Sequence, residues 1–419
     1  MATIAIIGTF DTKGQEHQFL AEALKRLGKR TILIDVGTGK APSIQPDITR
    51  HEVAQAAGLD LDTLMQQQDR GLCVEGMAGA IPILMKKLVN QGAVQGVIAM
   101  GGGGGTSIAT AAMRALPLGL PKLMISTMAG GNVTAYIGTS DILMMPSIVD
   151  VSGLNRILCG VIERGAAAMS GMVEAAAIKE PSSKPTIVAS MFGNTTGCVE
   201  MAREQLEAAG YEVLVFHATG TGGRAMESLI ESGLVDGVLD ITATEWADEM
   251  LGGVLSAGPH RHEAAGRTGI PTIIAPGCLD MVNFHAPETI PDHFQGRRFY
   301  AHNPQVTLMR TTPSECAKLG KLLADKINAY TGPVTVLLPL EGISVISAPG
   351  GPFHDPQADQ QLFESLRSHL RKDIPILEIK AHINELAFAQ ACCKALLEHM
   401  ACTRSAEKKG GVKAPEDWP

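Results

Sequence analysis

A chain of 419 residues is too long for one ordinary core and suits two or three domains of roughly 100–200 residues each. Hydrophobic residues make up 45% and charged residues 19%, enough apolar material for a sizeable core, which excludes an intrinsically disordered chain. A net charge of -8 gives no long-range attraction to nucleic acid or to an anionic membrane, so any phosphate must be met by a local site.

Met1 leads directly into the apolar run 4–7 without a basic segment or cleavage motif, and apolar stretches such as 166–178 are broken by Glu174 and fall short of the roughly 20 residues of a membrane helix. These features predict a cytoplasmic protein. Eight cysteines without a C-x-x-C pair, two of them adjacent at Cys392 and Cys393, fit neither a disulfide framework nor a zinc finger.

In chain order, residues 4–7 read as a strand, GTFDTKG (8–14) as a loop, the segment to Leu27 as a helix with Leu20, Ala23, Leu24 and Leu27 at helical spacing, and 31–36 as a second strand. Residues 94–100 form a buried-strand pattern that enters five glycines, after which Thr106 opens an alanine-rich helix. A further strand is expected over 121–126. Strands alternating with helices predict an α/β fold with a mainly parallel sheet covered on both faces.

The polar, proline-bearing stretch IKEPSSKP marks a domain boundary, giving a first domain over 1–180 and a second over 185–402. The second opens like the first. Offsets of 182 or 183 residues bring Ile4 onto Ile187, Gly14 onto Gly197 and Gly28 onto Gly210, the pattern of an internal duplication. Further strands are expected near 235–241, 271–275, 334–338 and 376–379, with helices near 314–330, 356–371 and 384–400. Residues 403–419 have no apolar period and read as a mobile tail.

In open parallel sheets ligands collect at the carboxyl ends of strands, beside helix N-termini, where glycines let backbone N–H groups approach phosphate oxygens. Three loops of the first domain meet that description. The first offers Gly8, Thr9, Asp11, Thr12 and Lys13, which combine a cation for phosphate, hydroxyl donors and a carboxylate suited to Mg²⁺ through water. The second offers Gly101, Gly102, Gly103, Gly104, Gly105 and Thr106, and the third Ser126, Thr127, Gly130, Gly131 and Asn132. No Walker motif is present, so each loop alone also reads as a tight strand-to-helix turn. Lys13 is the only Lys or Arg in the three loops, and Lys40, beyond the second strand, is expected to lie outside the site. Asp35 stands where a dinucleotide-binding domain places its ribose-binding acid, but the spaced glycine fingerprint is missing, which favours a mononucleotide.

In the second domain the candidate substrate residues are Thr244, Glu245, Cys278, Asp280 and Asn283 in polar stretches after strands, and His260 and Arg261 in the irregular regions between, where His285, His302 and Asn303 also fall. A metal on His260, Asp280 and His302, or Cys278 as nucleophile, stands against simple hydrogen bonding across long loops. Without a short ligand spacing no metal is assigned, and no catalytic residue is named.

Taken together, GTFDTKG, GGGGGTSIATAAMRALPLGLPKLMIST, YIGTSDILMM, DITATEWADE, PGCLDMVNF, HNPQVTLMRTTP and GPFHDPQAD resemble a family of uncharacterised bacterial proteins, whose unit is similar to the N-terminal, ATP-binding part of the tomato mosaic virus resistance protein. The resemblance runs from about Ala2 to Ala401. It implies two Rossmann-like domains, ATP in the first and a homodimer. In the pattern of that family the second loop often carries Ser among its glycines and the third often reads Ala-Ser-Gly-Asp, where this chain has Gly103 and Ala129-Gly130-Gly131-Asn132. Two functions follow as expectations. One is an ATP-dependent enzyme acting on a small carboxylated or phosphorylated metabolite in an interdomain cleft, with Lys13 holding phosphate and Asp11 orienting Mg²⁺. The other is a binding or regulatory module in which ATP sets a geometry that a partner protein reads.

Overall fold

The computed structural model describes residues 1–176 and 184–409, and the chain divides into two compact units between Pro181 and Ser182. Unit 1 contains β1 (Thr3–Gly8), α1 (Phe10–Arg26), β2 (Arg30–Asp35), α2 (Arg50–Ala56), α3 (Leu61–Gln66), α4 (Arg70–Asn90), β3 (Gly96–Gly101), α5 (Gly103–Arg114), β4 (Lys122–Ser126), α6 (Thr134–Ile137), β5 (Leu143–Pro146) and α7 (Arg156–Ala176). Its five strands are parallel, in the order β2-β1-β3-β4-β5.

The strand pleat explains why β1 is apolar from Ile4 to Ile7 and β3 from Val97 to Met100. Ile4, Ile6, Ile98 and Met100 point into a core with α1 and α7, while Ala5, Ile7, Val97 and Ala99 point into a second core with α4 and α5. Each fully buried aliphatic side chain contributes about 1.5–3 kcal/mol, so the centre of the sheet is the stable frame on which the loops are mounted.

Unit 2 contains β6 (Thr186–Met191), α8 (Thr196–Ala208), β7 (Glu212–His217), α9 (Thr221–Glu231), β8 (Gly237–Thr242), α10 (Glu245–Leu251), α11 (Ala264–Thr268), β9 (Thr272–Gly277), β10 (Met281–Phe284), β11 (Phe299–Asn303), β12 (Val306–Arg310), α12 (Pro313–Asn328), β13 (Val334–Pro339), α13 (Pro356–His369), β14 (Ile376–Ile379) and α14 (Leu386–Lys409). Its parallel sheet runs β14-β13-β9-β8-β6-β7. Numbered within each parallel sheet, both follow the order 2-1-3-4-5, and that of unit 2 adds a sixth strand. Both units are therefore Rossmann-like α/β domains of the doubly wound type.

Several elements depart from the sequence expectation. The first loop is almost entirely helical, because α1 starts at Phe10, whose ring is fully buried and whose N–H donates to Asp35 Oδ1 at 3.1 Å. Likewise α5 starts at Gly103, so three of the five glycines form its first turn. Residues 281–310, where no strand was expected, form an antiparallel sheet in the order β10-β12-β11, with His302 and Asn303 inside β11. At the far end α14 reaches Lys409, past the expected tail boundary at 403, and residues 410–419 lie outside the described residues.

Candidate functional site

In a 2-1-3-4-5 sheet the chain leaves β1 and β3 in opposite directions, which opens a crevice between their carboxyl ends. Unit 1 has a cavity of about 540 Å³ at that point. Thr9, Asp11, Thr12 and Lys13 line it from the start of α1, and Gly102, Gly103, Gly104 and Gly105 from the start of α5. The fold adds three residues that the loop motifs did not reveal: Asp69 and Arg70 where α4 begins, and Asp150 after β5.

The start of α5 is open. Gly102 occupies the capping position without a side chain, and the first turn closes with Thr106 N–H donating to Gly102 O at 2.8 Å. The N–H groups of Gly103, Gly104 and Gly105 find no acceptor among the described residues, which leaves three donors and the positive end of a helix facing the cavity. Packing does not demand glycine there. A Cβ on Gly103 would meet nothing within 4 Å, and one on Gly104 only Val74 Cγ2 at 3.6 Å and Arg70 Nη2 at 3.9 Å. The two predicted hydroxyls behave differently from the glycines. Thr106 and Ser126 are fully buried, hydrogen-bonded to each other at 2.7 Å, and Ser126 Oγ accepts Met128 N–H, so they tie the second loop to the third.

Lys13 interrupts α1 with φ -135° and ψ 29°, and its ammonium donates to the carbonyl of Val151. Glu16 Oε1 accepts Gly153 N–H at 2.6 Å, a second tie between α1 and the same loop. Neither Lys13 nor Arg70 has a carboxylate partner among the described residues, and Arg70 is exposed. Asp11 Oδ2 accepts Gly39 N–H at 2.8 Å, while its Oδ1 is buried without a partner. Gly8 serves a different purpose, since a Cβ there would lie 2.2 Å from Nε2 of His17. That histidine is fully buried, and burial holds its pKa below the ordinary value, so the ring is neutral and donates from Nδ1 to Lys13 O.

The third loop borders a neighbouring space. Ser126, Thr127 and Gly130 line a cavity of about 490 Å³ that shares Asp150 with the first. Gly131 is exposed, and Asn132 Oδ1 accepts Thr134 N–H in a local turn. Asp35 is 1% exposed, and its carboxylate accepts Phe10 N–H, Gly37 N–H at 2.9 Å and Arg50 Nε–H at 2.7 Å. It fixes the end of β2. Lys40 lines a third space of about 380 Å³ with Arg50, so it does not lie apart from the ligand-sized cavities of unit 1.

In unit 2 the corresponding strand ends are filled by the protein's own groups. Glu245 Oε1 accepts Gly220 and Gly223 N–H at the start of α9, and Asn384 Oδ1 accepts Cys198 N–H at the start of α8. Arg261, 1% exposed, binds Asp240 through both terminal nitrogens (2.6 and 2.7 Å), Glu245 through Nε (2.7 Å) and Glu227 at 3.1 Å. Burial opposes the charge on Asp240, but Arg261 outweighs it and holds this carboxyl at about 2. His262 is left neutral, with its pKa pushed down to about 3 by burial and by Arg261. Its Nδ1 accepts Trp246 Nε1–H at 2.8 Å.

Thr244 and Asn283 are buried and bonded to each other, and Asn283 N–H also donates to Asp248. Cys278 has φ 60° but is fully buried among apolar side chains, which pushes its thiol well above the ordinary range. Asp280 Oδ2 accepts Ser344 Oγ–H, and its Oδ1 has no partner. His260 alone of the seven is exposed, beside Glu263. No three His, Cys, Asp or Glu side chains among the described residues converge on a metal-sized point.

Comparison with known proteins gives a consistent match along the chain. Residues 2–178 match the model of the uncharacterised protein family UPF0261 N-terminal domain, and 184–400 that of its C-terminal domain. A UPF0261 protein of Clostridium tetani is 46% identical over 398 residues, covering 95% of this chain and 98% of the relative. The ToMV resistance protein Tm-1(GCR237) of Solanum lycopersicum is 39% identical over 423 residues, covering 96% of this chain and 56% of the tomato protein. A UDP-GlcNAc 2-epimerase of Methanocaldococcus jannaschii aligns over 65% of this chain and 83% of that one, at 12% identity and a TM-score of 0.22, too low to carry an argument.

Proposed function

The chain belongs to the uncharacterised protein family UPF0261, and on the geometry of unit 1 we propose that it is an ATP-binding protein whose nucleotide phosphates sit at the β1/β3 switch point. The observation that carries this reading is the set of free N–H groups at Gly103, Gly104 and Gly105, facing a cavity that also holds Lys13 and Arg70. Helix-start N–H groups and uncompensated cations are the donors a phosphate chain requires. Asp11, Asp69 and Asp150 place three carboxylates around the same space, a balance that suits Mg²⁺ entering with the phosphates and keeping most of its ligands as water and phosphate oxygen. Calorimetric titration with Mg²⁺-ATP tests the reading. Binding in the micromolar range is the expected result, and no heat at millimolar ATP would remove it.

Beyond binding, two uses of ATP remain proposals: turnover of a small metabolite and an ATP-responsive module read by a partner protein. The enclosure of Glu245, Arg261, Asp280 and Asn283 in unit 2's own hydrogen bonds favours the second. Release of ADP or AMP in the presence of a metabolite panel decides for the enzyme. No product, together with ATP-dependent hydrogen exchange in unit 2, decides for the module. All eight cysteines are free, which fits the reducing cytoplasm, and the homodimer implied by the resemblance belongs to the same proposal. No described helix is long and apolar enough to cross a membrane.

A further inference from the structure

The loop 147–153 after β5 carries a conformation that its own sequence disfavours. Val149 N–H donates to Ser147 O at 2.8 Å across Ile148, whose φ is 66°, so Ile148 is the centre of a γ-turn of the rare, strained hand. Of the four described non-glycine residues with positive φ, only Ile148 is β-branched, the type least able to sit there. Packing does not compensate for this, since the side chain is 73% exposed. Such a conformation persists only where the surroundings over-determine it.

The surroundings here are two fixed points. On one side the buried Ser147 donates its N–H to Ser126 O at 3.1 Å and its hydroxyl to Val149 O at 2.6 Å. On the other the ammonium of Lys13 holds Val151 O, and Glu16 holds Gly153 N–H. The short run from Ile148 to Asp150 must turn tightly to meet both. The hold on Val151 is the removable one, because Lys13 lines the same cavity as the start of α5. A phosphate oxygen, which carries charge of its own, is a stronger acceptor for an ammonium than a neutral carbonyl. Lys13 O is bound by His17 Nδ1 at 2.6 Å, which fixes the backbone while the side chain exchanges partners.

We propose that Lys13 is a ligand-released latch: without an anion it holds loop 147–153 in the strained turn, and phosphate in the cavity draws the ammonium off Val151 O, so that Ile148 relaxes and Asp150 moves. Asp150 lines both the 540 Å³ and the 490 Å³ cavities, so occupancy of the first reshapes the second. The ligand gains this cation in the released state alone, which is the differential contact that a shift of population requires. The inference rests on the phosphate reading above and assigns to that site a means of regulation.

Hydrogen exchange over 147–153, read by mass spectrometry, and calorimetric titration with Mg²⁺-ATP test it in wild type, Lys13→Ala, Ile148→Gly and Ile148→Val, with thermal melting by circular dichroism as the folding check. Ligand-free Lys13→Ala should exchange about fivefold faster than wild type over this loop, and ATP at saturation should produce the same acceleration in wild type. Glycine accepts positive φ without steric cost, so Ile148→Gly should melt higher than wild type. Because its latched state has lost the strain, it should also bind ATP about fivefold more weakly. Ile148→Val keeps the branched Cβ and should bind within about twofold of wild type. Unchanged ATP affinity in Ile148→Gly, whatever its melting temperature, means that the turn is retained in the complex. That result, unchanged exchange in ligand-free Lys13→Ala, or unchanged or slower exchange in ATP-saturated wild type each overturns the latch and leaves the phosphate site standing. Wild type that gives no heat with ATP removes the phosphate reading, and the latch falls with it.

Discussion

Arg261 shows how a single residue organises unit 2, since its guanidinium meets Asp240, Glu245 and Glu227 while almost fully enclosed. Three carboxylates brought out of water are tolerable only while that cation is present. Arg261→Met should therefore destabilise unit 2 by about 3–5 kcal/mol, because it strands buried charge and does not merely remove contacts. Urea unfolding followed by circular dichroism measures the loss, and a change below about 1 kcal/mol would mean the acids are solvated. Lys13 presents the opposite case. Its ammonium touches only a backbone carbonyl, so Lys13→Ala should leave the fold intact and weaken ATP by roughly ten- to a hundredfold, the worth of a charge-assisted hydrogen bond. Arg70→Ala should do the same, with calorimetric titration as the readout. Lys13 was legible because it stands inside a glycine-rich motif. Arg70 and Asp150 were not, because only the fold carries the starts of α4 and the loop after β5 to the same cavity. Glu245 was legible as a polar residue after a strand and Arg261 as a polar residue in an irregular region, but a sequence does not reveal that each is the other's partner.

At the scale of the element, the start of α5 carries the strongest claim. Glycine is the poorest ordinary helix former, and Gly104→Ala should stabilise unit 1 by about 1 kcal/mol, since its Cβ meets only ordinary contacts. If the phosphates approach the backbone here, the same methyl group obstructs them. The expected pair of results is a higher melting temperature and ATP affinity reduced about tenfold. A higher melting temperature with unchanged affinity would show that no ligand comes close to this turn. The alternation of strand and helix was readable because buried parallel strands are apolar at successive positions, as 4–7 and 97–100 are. Helix starts were read too late. Phe10 and Gly103 belong to helices because Asp35 anchors the first and Gly102 closes the second, and both partners are set by the tertiary structure. The sheet of β10, β11 and β12 escaped because β11 is an exposed edge strand, with polar residues that read as loop.

For the molecule as a whole, the two units share a strand order but treat helix starts in opposite ways. Among the described residues no side chain of unit 1 caps the start of α5, whereas unit 2 seats Glu245 and Asn384 on α9 and α8. The internal carboxylates of unit 2 stand where a ligand's anion would bind, so its stability, and not ligand binding, should carry the stronger dependence on acid. His262 sets the sign. Its pKa falls from an ordinary value near 6.5 in the unfolded chain to about 3 in the fold, through burial and the nearby Arg261. As pH drops through 6.5 the unfolded chain takes up a proton that the folded state refuses, so stability declines steadily between pH 6.5 and 3, at up to about 1.4 kcal/mol per pH unit. Asp240, held at about 2, adds a further loss once the pH passes below the usual carboxylate range. Trp246 donates to His262 and is 2% exposed, which makes its fluorescence a local reporter, with Trp246→Phe supplying the background from Trp418. Denaturant titrations of wild type at pH 7, 6, 5 and 4 should show falling midpoints. In His262→Gln, read by circular dichroism in the same series, the slope between pH 6.5 and 4 should be nearly flat, since glutamine can accept from Trp246 but does not titrate. Equal slopes in the two proteins would place the acid sensitivity elsewhere and would show that the imidazole takes up its proton inside the fold.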